Sequence, residues 1–328
     1  MKKAKKLIIA CVSFAAVLAA AFLALMAIAL LLYRTVFARK QPKIASKVQK
    51  TRDEEEEKSA DDIRHDEQME KTIEWVYEKD PTLLSIRSFD GLTLRGRLVT
   101  RKDDSKKCAI LVHGFHGMPE RDFAGITQYY YEHGFNVLLV DDRAHGRSEG
   151  ETLGFGWLDR KDVIAWAKQL VILYGEDCEI VLHGVSMGAA AVMSAGGEED
   201  IPEQVKAIVE DCGFSSTVEQ FKSVFPEQFK LLTRPVMKID SAVSKLVSGY
   251  TFEEASPAEQ LKKNTKPVLF IHGSEDELVP TKMVYENYYA AKGPAMLYVC
   301  DEAKHARSYA HDPETYEAKL TEFLKKYL

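Results

Sequence analysis

Cysteine is scarce and scattered in this chain, which excludes two kinds of protein. Cys11, Cys108, Cys178, Cys212 and Cys300 are odd in number, far apart and free of any CxxC or Cys/His cluster, so they form neither a disulfide framework nor a zinc site. They read as free thiols, four of them in or beside predicted strands, and lean toward a reducing compartment. No motif calls for a metal or an organic cofactor. Positive charge is not in excess either, with 44 Lys and Arg against 50 Asp and Glu, a formal net charge of -6 and no basic stripe interleaved with aromatics. Nucleic acid is therefore not expected as a partner.

What is present is apolar residue, 46% of the chain, unevenly distributed. The basic residues 1–6 precede an apolar run, Leu7 to Tyr33, which at ~1.5 Å per residue is long enough to cross a ~30 Å hydrocarbon core. A cleaved signal peptide is the rival, with Leu7 to Leu18 as its core and Ala19-Ala20-Ala21 as the cut. Cleavage there would leave Phe22-Leu23-Ala24-Leu25-Met26 as a new terminus, so an uncleaved single-pass anchor in the cell membrane is favoured. Its orientation stays open. Arg34, Arg39, Lys40, Lys43, Lys47, Lys50 and Arg52 outnumber Lys2, Lys3, Lys5 and Lys6 and point the carboxyl-terminal side to the cytoplasm, whereas a very short basic amino terminus is that of an exporting signal anchor.

Residues 34–80 read as a charged stalk followed by an amphipathic helix. The acidic run Asp53 to Glu57 is a solvated spacer, and Met69, Ile73, Val76 and Tyr77 recur at helical spacing before a stop at Asp80-Pro81. From residue 81 to 328 apolar strands alternate with helical patterns, beginning with a hairpin across Asp90-Gly91. This order predicts an α/β fold, a mainly parallel sheet with helices on both faces, with sites beyond the carboxyl ends of the strands. Residues 213–263 break the alternation and read as a helical cap over the site. Phe214, Phe221, Phe225, Phe229, Leu231, Leu232, Met237 and Tyr250 of that cap are its own small core by default and a candidate acyl pocket in part.

Four strand ends carry chemistry. Glu179 to His183 runs into Gly184-Val185-Ser186-Met187-Gly188 and then a small-residue helix, a GxSxG turn that projects a serine hydroxyl. Lys107 to His113 is followed by Gly114-Phe115-His116-Gly117, whose backbone N–H groups suit a developing oxyanion. Pro267 to Ile271 leads to a loop with Glu275, Asp276 and Glu277, and Met296 to Val299 leads to one with His305. Asp211 beyond another strand competes as the acid; His113, His116, His145, His183 and His272 compete as the base.

Taken together, SFDGLTLRG, LVHGFHG, DDRAHGRSEG, HGVSMGA, ASPAEQLKKNTKPVLFIHGSEDELVP and the AKHA around His305 resemble the α/β hydrolases of the serine aminopeptidase-like and prolyl oligopeptidase-like families, from about Trp75 to Leu328. The resemblance implies the chain order nucleophile, acid, base as Ser186, Asp276, His305, with the amides of Phe115 and Met187 as oxyanion donors. It leaves His113, His145 and His183 as loop supports, and Asp141 and Arg143 as braces of a turn. The implied activity is that of a serine hydrolase, cofactor-free, acting on a small-molecule or lipid-like acyl ester. The apolar span and the charged stalk lie outside the resemblance, and with the span the chain is expected to be a membrane-anchored enzyme. A peptidase, an acyltransferase and a silent hydrolase-fold binding protein are the alternatives. No motif identifies a protein partner.

Overall fold

The computed structural model describes residues 2–40, 58–225 and 230–328. Helix α1 (Lys2–Phe37) and helix α2 (Ala60–Glu78) precede the hairpin β1 (Thr82–Arg87) and β2 (Thr93–Val99). Next come β3 (Lys107–Val112), α3 (Pro119–Asp122), α4 (Ile126–Glu132), β4 (Asn136–Asp141), α5 (Asp159–Tyr174), β5 (Glu179–Val185), α6 (Met187–Gly196) and β6 (Val205–Asp211). Helices α7 (Thr217–Val224), α8 (Lys230–Ser248) and α9 (Pro257–Leu261) lie between β6 and β7 (Val268–Gly273). The chain closes with α10 (Lys282–Ala290), β8 (Ala295–Cys300), α11 (Ser308–His311) and α12 (Pro313–Tyr327).

One sheet holds the strands in the order β1-β2-β4-β3-β5-β6-β7-β8. β1 and β2 pair antiparallel, β2 runs antiparallel to β4, and every pairing from β4 across to β8 is parallel. This is the α/β-hydrolase fold. Its central strands read as continuous apolar runs because both faces are covered. Ile110 of β3 packs with Trp166 and Leu170 of α5 on one face, and its neighbour Leu111 packs with Tyr130 of α4 and Phe323 of α12 on the other.

The amino-terminal helix departs from the expected boundary. It continues past Tyr33 to Phe37, and the stretch read as the start of a stalk is joined to the folded domain. Ala29, Tyr33 and Phe37 are buried, and Leu25, Met26, Leu32 and Val36 are half-buried along the same stripe. Beyond the helix, Ala38 bridges Thr152, the Arg39 N–H donates to Glu151 O at 2.9 Å, and Leu153 N–H donates to Phe37 O at 2.8 Å. The Arg39 guanidinium donates to Ser148 O at 2.7 Å and Gly146 O at 2.8 Å. A stripe of this kind leaves no periodic signal in a helix that is apolar all round, which is why the sequence pattern ends the segment at Tyr33. Asp53 to Glu57 and Phe229 lie outside the described residues.

Helix α2 starts at a capping box between Ser59 and Asp62 and packs on the domain through His65, Thr72 and Val76. Met69 and Ile73 are half-buried and Tyr77 is exposed, so the packed face is rotated from the apolar one expected. Polar contacts set that rotation. Arg307 Nε donates to Asp62 Oδ1 at 2.8 Å, His311 Nδ1 lies 2.6 Å from Asp61 Oδ2, and Arg64 donates to Ala310 O at 2.6 Å. These contacts clasp α2 to the loop and helix that follow His305.

The end of α1 packs on the cap through Phe37. Phe37 is 1% exposed, so Phe37→Ala should cost about 3–5 kcal/mol, read as a lowered thermal midpoint of the full chain in detergent. A shift typical of an exposed residue would refute that packing. Asp240 of α8 is buried, its Oδ1 lacks a hydrogen-bond partner, and burial pushes its carboxyl up to about 7. A raised carboxyl is protonated in both states at low pH, and stability is lost as pH rises from about 4 to about 7, where only the unfolded chain ionises freely. Asp240→Asn should therefore melt higher than the parent at pH 8, with the gap closing at pH 4; a pH-independent gap would contradict the assignment.

Candidate active site

The turn from β5 into α6 is held by backbone contact. Ser186 has φ 56° and ψ -114°, a conformation costly for a non-glycine residue and sustained by its surroundings. Its N–H donates to Asp211 O at 2.8 Å, and its carbonyl accepts from Ala190 N at 3.1 Å. The two flanking glycines are required by space. A methyl placed on Gly188 would stand 1.9 Å from Val112 O of β3, and one on Gly184 would stand 2.2 Å from Gly188 O. The start of α6 thus crosses directly over the end of β3 and brings Ser186 to the loop that follows it.

The structure brings Ser186, Asp276 and His305 together from three strand ends. His305 Nε2 lies 2.9 Å from Ser186 Oγ, and His305 Nδ1 lies 2.7 Å from Asp276 Oδ2. The other oxygen of Asp276 accepts from Leu278 N at 3.0 Å and Val279 N at 2.8 Å. His272 supplies a further donor, because its Nε2 sits 2.8 Å from the carbonyl of Val279 and must carry the hydrogen, and it is 3.2 Å from Asp276 Oδ2. Burial pushes the Asp276 carboxyl up, but hydrogen bonds from His272 and His305 outweigh it and hold the group down at about 2. Asp276 is therefore an ionised acceptor at neutral pH.

The competing groups sit one layer back. Asp211 is buried, accepts from the Tyr316 hydroxyl at 3.1 Å, and is pushed up to about 6 by burial. It steadies the turn through its carbonyl on Ser186 N and makes no hydrogen bond to His305. Cys212 Sγ lies within 4.8 Å of the Asp276 and His305 donor atoms. Burial pushes its thiol up, and both imidazole nitrogens of His305 are already engaged, so the trio is a poor thiolate metal site. His183 is locked between the hydroxyls of Tyr130 and Tyr316.

The glycine-rich loop leaves one amide open. Gly114 N donates to Asp122 Oδ2 at 2.7 Å, His116 N to His145 Nε2 at 3.1 Å, and Gly117 N to Gly114 O at 3.0 Å. Among the described residues Phe115 N has no acceptor, and a methyl on Gly114 would lie 3.2 Å from Ser186 Cβ. Met187 is the first residue of α6, where an N–H has no partner within the helix. His145 is the loop support expected from the sequence, whereas Asp122 is marked by no motif and His272 stands there only as a competing base. His145 Nδ1 donates to Arg143 O at 2.9 Å, and burial lowers the ring to about 3, leaving Nε2 free to accept from the loop. Arg143 and Asp141 act as braces, with Arg143 on Asp162 at 2.6 Å and Asp90 at 2.9 Å, and Asp141 on Arg97 at 2.8 Å.

The chain is similar to known proteins over most of its length. Residues 103–239 match the family model for serine aminopeptidase, S33. The protein YqkD of Bacillus subtilis is 30% identical over 282 residues, covering 84% of this chain and 88% of YqkD. Protein bem46 of Schizosaccharomyces pombe is 22% identical, covering 64% of each chain. Among solved structures, the Pyrococcus furiosus esterase Pf2001 superimposes with a TM-score of 0.59 at 25% identity, covering 75% of this chain and 92% of the esterase. The Pyrococcus horikoshii acylaminoacyl peptidase shares the fold at a TM-score of 0.56 and 18% identity, over 76% of this chain and 42% of the peptidase.

The crossing at Gly188 generates a stability test. Gly188→Ala should cost about 3 kcal/mol or more in urea unfolding, since neither backbone can give way. Gly91→Ala, with nothing within 4 Å of the added methyl and φ +90°, should cost about 1 kcal/mol from backbone strain alone. Equal costs at the two positions would count against the crossing as the constraint.

Proposed function

This chain belongs to the α/β-hydrolase superfamily, and from that membership we propose that it is a membrane-anchored serine hydrolase that cleaves esters through an acyl-enzyme. The observation that carries the reading is the continuous hydrogen-bonded line from Ser186 Oγ through His305 to the ionised Asp276. Ser186 Oγ attacks the ester carbonyl carbon while His305 Nε2 takes the hydroxyl proton. Asp276 fixes the Nδ1–H tautomer and stabilises the imidazolium. The carbonyl oxygen becomes an oxyanion that accepts from the amides of Phe115 and Met187, each such donor contributing a factor of ~10²–10³ in rate. Collapse breaks the C–O bond, the alcohol leaves with the proton from His305, and water repeats the sequence to release the acid and restore Ser186.

The ester reading is supported by the likeness to the Pf2001 esterase, and the match to the serine aminopeptidase model keeps amide bonds as the second reading. Membrane anchoring is supported by α1, whose segment Ile9–Phe37 is long and apolar enough to cross a bilayer. Its residues from Ile9 to Ala24 are exposed apart from the domain.

A fluorophosphonate probe should label the full chain in detergent and fail to label Ser186→Ala. Asp276→Asn should keep the fold and lose ~10³–10⁴ in kcat on 4-nitrophenyl esters. Labelling that persists in Ser186→Ala would refute the nucleophile, and faster turnover of amino-acyl anilides than of esters would move the assignment to a peptidase.

A further inference from the structure

The cap helix α8 carries a face that its own domain does not use. Leu231, Arg234, Lys238, Ala242 and Lys245 follow one another at helical spacing, Leu246 lies next to the last of them, and all six are exposed, with Leu231 at 95% and Leu246 at 88%. The two leucines stand at opposite ends of the helix, about 22 Å apart at ~1.5 Å per residue. The basic residues lie between them. The single acid of α8, Asp240, is buried on the other side. Lys245 shares its charge with Glu254 at 3.1 Å, whereas Arg234 and Lys238 have no carboxylate partner among the described residues. This leucine-ended basic face is the pattern of a helix lying in a bilayer interface, with apolar side chains below the headgroups and Lys or Arg among anionic phosphates.

Position supplies the second observation. α8 is the element against which the end of α1 packs: the Tyr33 hydroxyl lies 3.2 Å from Ser248 Oγ, next to Val247, which is 56% exposed, and Leu246. Phe37 then stacks on Phe252 at 5.5 Å and Phe221 at 5.8 Å, and tilts against Phe155 at 5.2 Å. Phe155 reaches Phe115 of the glycine-rich loop at 6.2 Å, in the same cluster as Met187. One unbroken chain of packed apolar side chains therefore runs from the candidate span to the residues beside Ser186.

We infer that the Leu231-to-Leu246 face of α8 rests on the anionic leaflet from which α1 emerges, so that the site receives an amphiphilic acyl ester from that leaflet. This rests on the reading of α1 as an anchor and of Ser186 as a nucleophile. The leaflet would then hold the acyl chain while the ester carbonyl reaches Ser186.

The test uses the full chain with Cys11→Ser, labelled with the environment-sensitive dye NBD at Leu246→Cys and reconstituted into phosphatidylcholine vesicles containing about 30% phosphatidylglycerol. The label should shift to the blue relative to detergent-free buffer standards and be quenched by bromolipids, whereas the same label at Lys168→Cys on α5 should be neither. Arg234→Glu with Lys238→Glu, both at exposed positions, should weaken the quenching. The same pair should lower the ratio of 4-nitrophenyl palmitate hydrolysis in vesicles to 4-nitrophenyl acetate hydrolysis by about tenfold. A purely structural role for the pair would lower both esters together and leave that ratio fixed. A water-like spectrum at position 246 overturns the inference, and so does a blue shift without bromolipid quenching, which would place a second copy of the chain on the face. A ratio within twofold of the parent overturns the delivery of substrate from the leaflet. Quenching with neither ester hydrolysed would support the surface and refute the hydrolase reading, so the two failures are separable.

Discussion

The close crossing of α6 over the end of β3 is the constraint on which the site depends. No side chain fits between Gly188 and Val112 O, so the helix and the strand are fixed backbone to backbone. That contact sets the height of Ser186 above the sheet and places it against Gly114. The strained backbone of Ser186 is affordable only because the sheet below is rigid and its strands are buried on both faces. His305 and Asp276 then need only arrive from neighbouring strand ends, β7 and β8, which the parallel register delivers at the same edge.

Supports for the site come from unexpected distances along the chain. Arg39, just beyond the amino-terminal helix, donates to the carbonyls of Gly146 and Ser148, and within that same loop His145 accepts from His116 beside Phe115. At the other end, Asp61 and Asp62 of α2 hold His311 and Arg307 of the loop that carries His305. Segments outside the hydrolase sheet thus brace both the loop at Phe115 and the loop at His305. Under the proposed reading, the anchor is a structural member of the site and its end cannot move independently of the loop at Phe115.

The sheet and the meeting of Ser186 with Asp276 and His305 were legible because each follows from local pattern: continuous apolar strands, turn glycines and residues at strand ends. Chain order did the rest. The docking of α1 was not legible, because the buried stripe at Ala29, Tyr33 and Phe37 is written in a segment that is apolar on every side. The packed face of α2 was displaced for a different reason, since its polar partners Arg307 and His311 lie more than two hundred residues away and leave no trace in helical periodicity. Cap residues divided by burial: Phe214, Met237 and Tyr250 are core, while Leu231 is exposed. Nothing in their spacing separates them, because the face that α8 presents is decided by where α1 lands.

Under the proposed reading Ser186 becomes acylated during turnover, and rapid-quench peptide mass mapping detects that adduct. Full chain mixed with excess 4-nitrophenyl ester should release nitrophenolate in a burst stoichiometric with enzyme, and the acid-quenched protein should carry the acyl mass on the peptide containing Ser186. Acyl mass on a different residue, or undiminished turnover by Ser186→Ala, would contradict acylation of Ser186.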